Sequence, residues 1–468
     1  MSSPAALAPA PETFPLRRGR GAVALHATGV RHPAQLSGEG FTAYSDVTHL
    51  AAGARALRLG TKSSVYTFPR AGFVDPASKD RLQRALVERI ASEPDGALQL
   101  ARMAELDRLW REPAPVRATF VLAIACIAVY ALEAALGPIV SLSGFFSRTL
   151  FGAGELWRIL TANLLHASVP HLVLNVLAIL GLGSLVERPL GTTRTAFVIG
   201  ISAFGAMGAA LAADYEQAVG ASGIACGLAG ALVWLELRCA DRLPAPWRVP
   251  RRLLLAAIAV EAALSFTLPN IAGAAHAGGF VAGLAACAAV ARPGLRREPA
   301  RPWLTAANAV LGLLAVLALV AAGRELAGDG DMLARSGARL LRLTEVSPQV
   351  LNNTAWMIAT SAHPTSEQLS VALRLAERAV DDTNREDPNV LDTLAESQFA
   401  AGQVDEAVET IDEAIALAPD ESYFVEQRRR FTGDREADDR PDPPPDDLPL
   451  PDGPDGPSDA EETPGVAV

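Results

Sequence analysis

The chain has 468 residues, of which 50% are hydrophobic and only 20% charged, a length that suits two to four domains. Its net charge of −11 is local: residues 433–468 hold twelve acidic and two basic side chains, leaving the remainder nearly neutral. Such a balance excludes a nucleic-acid partner held by a basic surface, whereas apolar residues bunched into long runs point to a lipid bilayer, which takes about 20 mostly apolar residues per span.

Residues 1–20 are Pro/Ala-rich with Arg17, Arg18 and Arg20 and are expected to be disordered. The first 30 residues hold no basic-then-apolar leader, so insertion is expected to rest on internal spans. Basic charge is almost all arginine, with Lys62 and Lys79 as the exceptions, and alanine abounds; this composition points to a bacterial source. From Gly21 to Phe73, β-type runs such as Phe41–Tyr44 and Ser64–Phe68 alternate with Gly-bearing turns. After Asp75-Pro76 a helical pattern places Leu82, Leu86 and Ile90 on one face. Residues 21–112 therefore read as a soluble β-plus-helix module and linker, which resembles a pleckstrin-homology-like fold.

Seven apolar segments follow, near 118–136, 169–186, 195–213, 222–237, 253–268, 274–291 and 303–322. They predict a mainly α, polytopic membrane bundle, with six spans in a core over 113–300 and a seventh over 301–323. The loops after the second, fourth and sixth segments hold eleven arginines, from Arg188 to Arg301, against Arg148 and Arg158 in the alternate loops. Under the positive-inside rule this places the N-terminus in the cytoplasm and everything after the seventh span outside. The expected location is a bacterial inner membrane.

Residues 324–432 are helical and repetitive. Ala395, Ala407, Ala414 and Pro419 occupy the small-residue and closing-proline positions of a tetratricopeptide repeat. Ala355, Ala372, Ala379 and Pro388 form a poorer copy, with helices near 332–346 and 421–431 as caps. The concave face of such an array suits a peptide or adaptor partner. Residues 433–468 are too acidic and Pro-rich to bury a core and are expected to be disordered.

Cys126, Cys226, Cys239 and Cys287 lie in or beside apolar segments without paired spacing and read as packing residues. Of the seven histidines, His166, His171 and His276 fall in or at the edge of the membrane region, where ionisable residues by default mark a functional site. The second, fourth and sixth spans run in the same direction, so their first turns share one face of the membrane. His171 and Asn175, one turn apart, open the second; Ser222 opens the fourth; His276 opens the sixth. In Gly220-Ala-Ser-Gly223 small neighbours flank the serine at a helix start, where unpaired N–H groups favour an anion. Gly279 and Gly283 follow His276 on a face suited to close helix contact, which would let His276 reach Ser222. No carboxylate or cysteine stands at ligand spacing beside these histidines, so no metal or other cofactor is expected. Glu133 and Glu261, in the first and fifth spans, have no role legible from sequence.

Leu156-Trp157-Arg158, His166, His171-x-x-x-Asn175, Glu187, Gly220-Ala-Ser-Gly223 and Ala275-His276-x-x-Gly279, in that order and spacing, resemble the rhomboid family over roughly residues 118–292. The resemblance implies an intramembrane serine endopeptidase acting on single-span membrane proteins through a Ser222–His276 dyad without an acid. It also implies an oxyanion hole from His171, Asn175 and the Ser222 backbone N–H, with Gly220 beside it. Trp157, Arg158 and Glu187 match the family's structural positions, and His166, Gly223, Gly279 and Gly283 would support the site. One position departs: four residues after the serine the family places an aromatic ring against the catalytic histidine, and this chain has Cys226. The layout of N-terminal module, seven spans and outer repeats resembles a subgroup of bacterial rhomboids. The alternative is a weak or silent relative that binds or escorts membrane clients; such relatives lack the serine or the histidine, and this chain keeps both. A transporter or channel would call for an acidic relay through the spans, and the polar cluster sits at one face only.

Overall fold

The computed structural model describes residues 11–17, 21–33, 38–136, 139–267, 271–292, 295–326, 332–344, 346–361, 363–436 and 441. Two antiparallel meanders open the chain. Strands β1 (Glu12–Pro15), β2 (Ala22–Leu25), β3 (Gly29–Pro33) and β4 (Glu39–Ala43) pair in sequence order, and so do β5 (His49–Ala52), β6 (Ala56–Gly60) and β7 (Val65–Pro69). Helix α1 (Ser78–Ala91) closes them, burying Leu82, Leu86 and Ile90 against Phe14, Val23, Leu57, Leu59 and Phe68. The stretch expected to be disordered thus contains a strand. Phe14 is the reason, since it points inward between exposed Thr13 and Pro15 and fills the core, 3% exposed. Helix α2 (Gly96–Arg111) then leads to the membrane region.

The seven predicted apolar segments are all helical: α3 (Arg117–Leu136), α7 (Val169–Leu190), α8 (Thr192–Ala212), α9 (Ser222–Arg238), α10 (Arg251–Thr267), α11 (Gly273–Val290) and α12 (Pro302–Leu326). Between α3 and α7 the chain folds into the short α4 (Ile139–Gly144), β8 (Phe146–Ser147), α5 (Arg148–Gly152) and α6 (Arg158–Thr161). Among the described residues, five helices, α3, α7, α8, α11 and α12, are long and apolar enough to cross a membrane. Helix α9, with 17 residues, reaches about 26 Å at 1.5 Å per residue, at the short end of the range that spans a bilayer, and α10 is described as far as Thr267.

Helix α9 is central. Its Leu228, Ala231, Leu232 and Leu235 are buried with Val186 of α7, Val198 of α8 and Cys287 of α11. It packs on α11 backbone to backbone: a Cβ on Gly279 would overlap the carbonyl oxygen of Gly223, and one on Gly283 that of Gly227. Such contact forfeits side chains at the seam and gains close van der Waals packing, the main attraction between helices in lipid. Helix α10 is peripheral, with Leu254 buried and Leu253, Leu255, Val260 and Leu264 exposed.

The C-terminal helices α13 (Met332–Leu340), α14 (Pro348–Ala359), α15 (Ser366–Asp382), α16 (Pro388–Ala400), α17 (Val404–Leu417) and α18 (Ser422–Phe431) form consecutive hairpins. Ala355, Ala372, Ala379, Ala395, Ala407 and Ala414 are each fully buried at the helix crossings. Their core continues into the segment between α3 and α7 through Leu150 of α5. The N-terminal module meets the arginine-bearing loops instead. Arg248 donates to the carbonyls of Thr61 and Lys62, His49 bonds the Leu243 carbonyl, and Arg297 pairs with Glu105 and Glu112. Most of the acidic tail lies outside the described residues.

Candidate active site

Three segments meet where α7, α9 and α11 begin. Strand β9 (Gln217–Ala218) pairs with β8 and, with the Gly220 N–H donating to the Ala162 carbonyl at 2.9 Å, fixes the chain just before Ser222. Gly220 lies at φ +119°, in the region that favours glycine. A Cβ there would come within 2.8 Å of His171 Nε2 and 3.7 Å of Ser222 Oγ. The missing side chain is what lets the His171 ring stand beside the serine. As the first residue of α9, Ser222 belongs to a turn whose backbone N–H groups have no intrahelical acceptor.

His276, 9% exposed on the first turn of α11, approaches Ser222 with Nε2 2.7 Å from Oγ. Its Nδ1 faces a carboxylate, Glu261 Oε1, at 2.5 Å, and Ser265 donates to that same oxygen at 3.4 Å from one turn further along α10. An acid therefore stands behind the histidine, where the sequence implied none. Cys226 Sγ, a Glu261 oxygen and a His276 ring nitrogen lie within 4.8 Å of one another. Sequence spacing set no carboxylate or cysteine beside the histidine; the fold brings one of each next to it. In the arrangement observed Nδ1 is occupied by the carboxylate. Glu261 stood out in the sequence as a lone carboxylate in an apolar run, but nothing in its spacing tied it to His276.

The other predicted residues divide between the cleft and its frame. Asn175 is 5% exposed and its amide donates to the His171 carbonyl at 3.0 Å, so one N–H remains for another acceptor. The His166 ring stands edge-on to His171, centroids 5.1 Å apart, with Nδ1 on the Leu164 carbonyl. Arg158, 1% exposed, staples the segment between α3 and α7: Nε binds Glu155 at 2.7 Å, and Nη1 donates to the carbonyls of Leu142 and Phe145 at 2.9 Å each. Trp157 Nε1 donates to the Ser143 carbonyl at 3.0 Å. Glu187 lies at the far end of α7 and accepts from the N–H groups of Ala118 and Thr119 and from both Thr119 and Thr192 hydroxyls, capping α3. Glu133, without a role in the sequence, accepts from Ser141. Among the described residues the cysteines are free, with Cys126, Cys239 and Cys287 buried.

Comparison with known proteins places a family domain over this part of the chain. The Rhomboid domain model matches residues 153–293. Rhomboid protease GluP of Bacillus subtilis (strain 168) is 30% identical over 151 residues, covering 32% of this chain and 29% of that protein. RHOMBOID-like protein 1 of Arabidopsis thaliana is 35% identical over 132 residues, 28% of this chain and 33% of that protein. The putative rhomboid protease YdcA of Bacillus subtilis (strain 168) is 32% identical over 133 residues, 28% of this chain and 65% of that protein. The match thus spans about a third of the length of the first two relatives. With its helices long enough to cross a bilayer, the chain is an integral membrane protein that carries a rhomboid domain over residues 153–293.

Proposed function

We propose that the chain is an intramembrane serine endopeptidase that cleaves transmembrane or juxtamembrane segments of single-span membrane proteins. The observation that carries this reading is the 2.7 Å contact between Ser222 Oγ and His276 Nε2, made between two helices and held by the glycine seam beneath it. His276 Nε2 takes the hydroxyl proton as Ser222 Oγ attacks the scissile carbonyl. The oxyanion that forms is met by the Ser222 N–H, the His171 ring and the free N–H of Asn175. His276 then returns the proton to the leaving amine, and water resolves the acyl-enzyme by the same route.

The remaining elements take supporting roles. The N-terminal module, four strands, three strands and a helix, is a pleckstrin-homology-like domain on the cytoplasmic side of a bacterial inner membrane. The C-terminal hairpins are tetratricopeptide-like repeats on the outer side that recruit substrates or an adaptor. Cleavage of a tagged single-span substrate in liposomes tests the reading. Wild type is expected to cut, Ser222→Ala and His276→Ala to fail, and a fluorophosphonate probe to label wild type alone. Equal cleavage by all three would remove the protease assignment.

A further inference from the structure

The structure assigns Glu261 as the positioning residue of the catalytic histidine, so that Ser222, His276 and Glu261 act as a chain of three. The inference rests on the protease reading and concerns what prepares the base.

For Nε2 to accept the Ser222 proton, the neutral ring must carry its one proton on Nδ1. Rotation of the ring or a shift of that proton to Nε2 would leave the serine facing a donor. Nδ1 lies 2.5 Å from Glu261 Oε1, and an ionised carboxylate only accepts, so the contact selects the tautomer with its proton on Nδ1. It also fixes the plane of the ring, and its charge opposes the positive charge that His276 acquires during attack. Cys226, at the position where the family resemblance places an aromatic ring, offers only a small, weakly polar thiol. The orientation that packing would have supplied comes from a hydrogen bond instead.

The placement of Glu261 argues against a merely solvated side chain. It is the sole charged residue of α10 beyond the opening Arg251 and Arg252, its side chain is 42% exposed, and its neighbours Val260 and Leu264 face outward along the same apolar helix. A carboxylate in an apolar helix costs free energy unless a partner meets it. Glu261 has two, His276 and, through the same oxygen, Ser265.

The test compares Glu261→Gln, Glu261→Asp and Ser222→Ala in the full chain in liposomes. Expected for Glu261→Gln is a fall in kcat of about 10²-fold with KM within about twofold, and a matching fall in the rate of fluorophosphonate labelling. Glu261→Asp is expected to recover part of both rates. In wild type the His276 Nδ1 proton should give a far-downfield NMR signal, absent from Glu261→Gln and retained in Ser222→Ala. A loss confined to KM, or a Glu261→Gln enzyme as fast as wild type, would overturn the assignment while leaving the serine and histidine in place. Full activity in Ser222→Ala would instead remove the protease reading itself.

Discussion

Gly220 shows how one absent side chain shapes the cleft. Its φ of +119° and the 2.7 Å from a would-be Cβ to His171 Cε1 mean that alanine there must strain the backbone and push the histidine away. Positive-φ strain alone costs about 1–3 kcal/mol. Gly220→Ala is therefore expected to lower the melting temperature modestly and to slow fluorophosphonate labelling by at least about 10-fold, as the proposed oxyanion donor His171 is displaced. A variant with unchanged labelling would dissociate His171 from the anion site. At this scale the polar residues of three helix starts were legible, because ionisable groups are rare in apolar runs and their direction follows from flanking arginines. Glu261 was not, because its contact with His276 depends on how α10 leans against α11, which periodicity does not encode. The strand at Glu12–Pro15 was missed for a similar reason: one inward Phe14 among prolines carries no alternation long enough to read.

Helices display the same division between pattern and packing. The apolar runs gave the positions of α3 and α7–α12 within a few residues, yet the length of α9 depends on where its caps fall. In the C-terminal hairpins the small residues at crossings were readable, whereas the polar cluster between α16 and α18 was not. There Asp392 accepts from the Tyr423 hydroxyl and the Gln427 amide, each at 3.0 Å, beside a buried Glu396–Arg430 pair. Burial above all, with the nearby Glu396 charge adding to it against the hydrogen bonds from Gln427 and Tyr423, pushes the Asp392 carboxyl up to about 7. Between its ordinary value of 3.8 and about 7, the folded carboxyl keeps a proton that the unfolded one has released. The stability of these helices therefore falls as pH rises through that window. Amide exchange in α16 and α18, corrected for intrinsic rates, is expected to be slower at the acid end than above it. Asp392→Asn is expected to flatten the difference; a dependence that persists in the variant would place its origin elsewhere.

On the scale of the whole molecule, the N-terminal strands and the C-terminal hairpins occupy the two ends of the helical bundle. The N-terminal module sits on the loops carrying Arg248 and Arg297, and the C-terminal hairpins sit on the loop that also frames the active-site cleft. If the hairpins recruit substrates, removing residues 332–431 should raise KM or abolish cleavage of a natural membrane substrate. Fluorophosphonate labelling of Ser222, which needs no recruitment, should stay within about threefold of wild type. Unchanged cleavage of every substrate would end the recruitment idea. A loss of labelling as well would show that the hairpins support the cleft itself.

Glu155 makes that support concrete. It is 1% exposed, one oxygen answers the buried Arg158, and the other answers Arg339 of α13 at 2.6 Å. One carboxylate thus ties the loop to the hairpins, beside the packing of Leu150 in their shared core. Withdrawing it leaves Arg158 with the Leu142 and Phe145 carbonyls and Arg339 with Glu325, so loop and hairpins are loosened together.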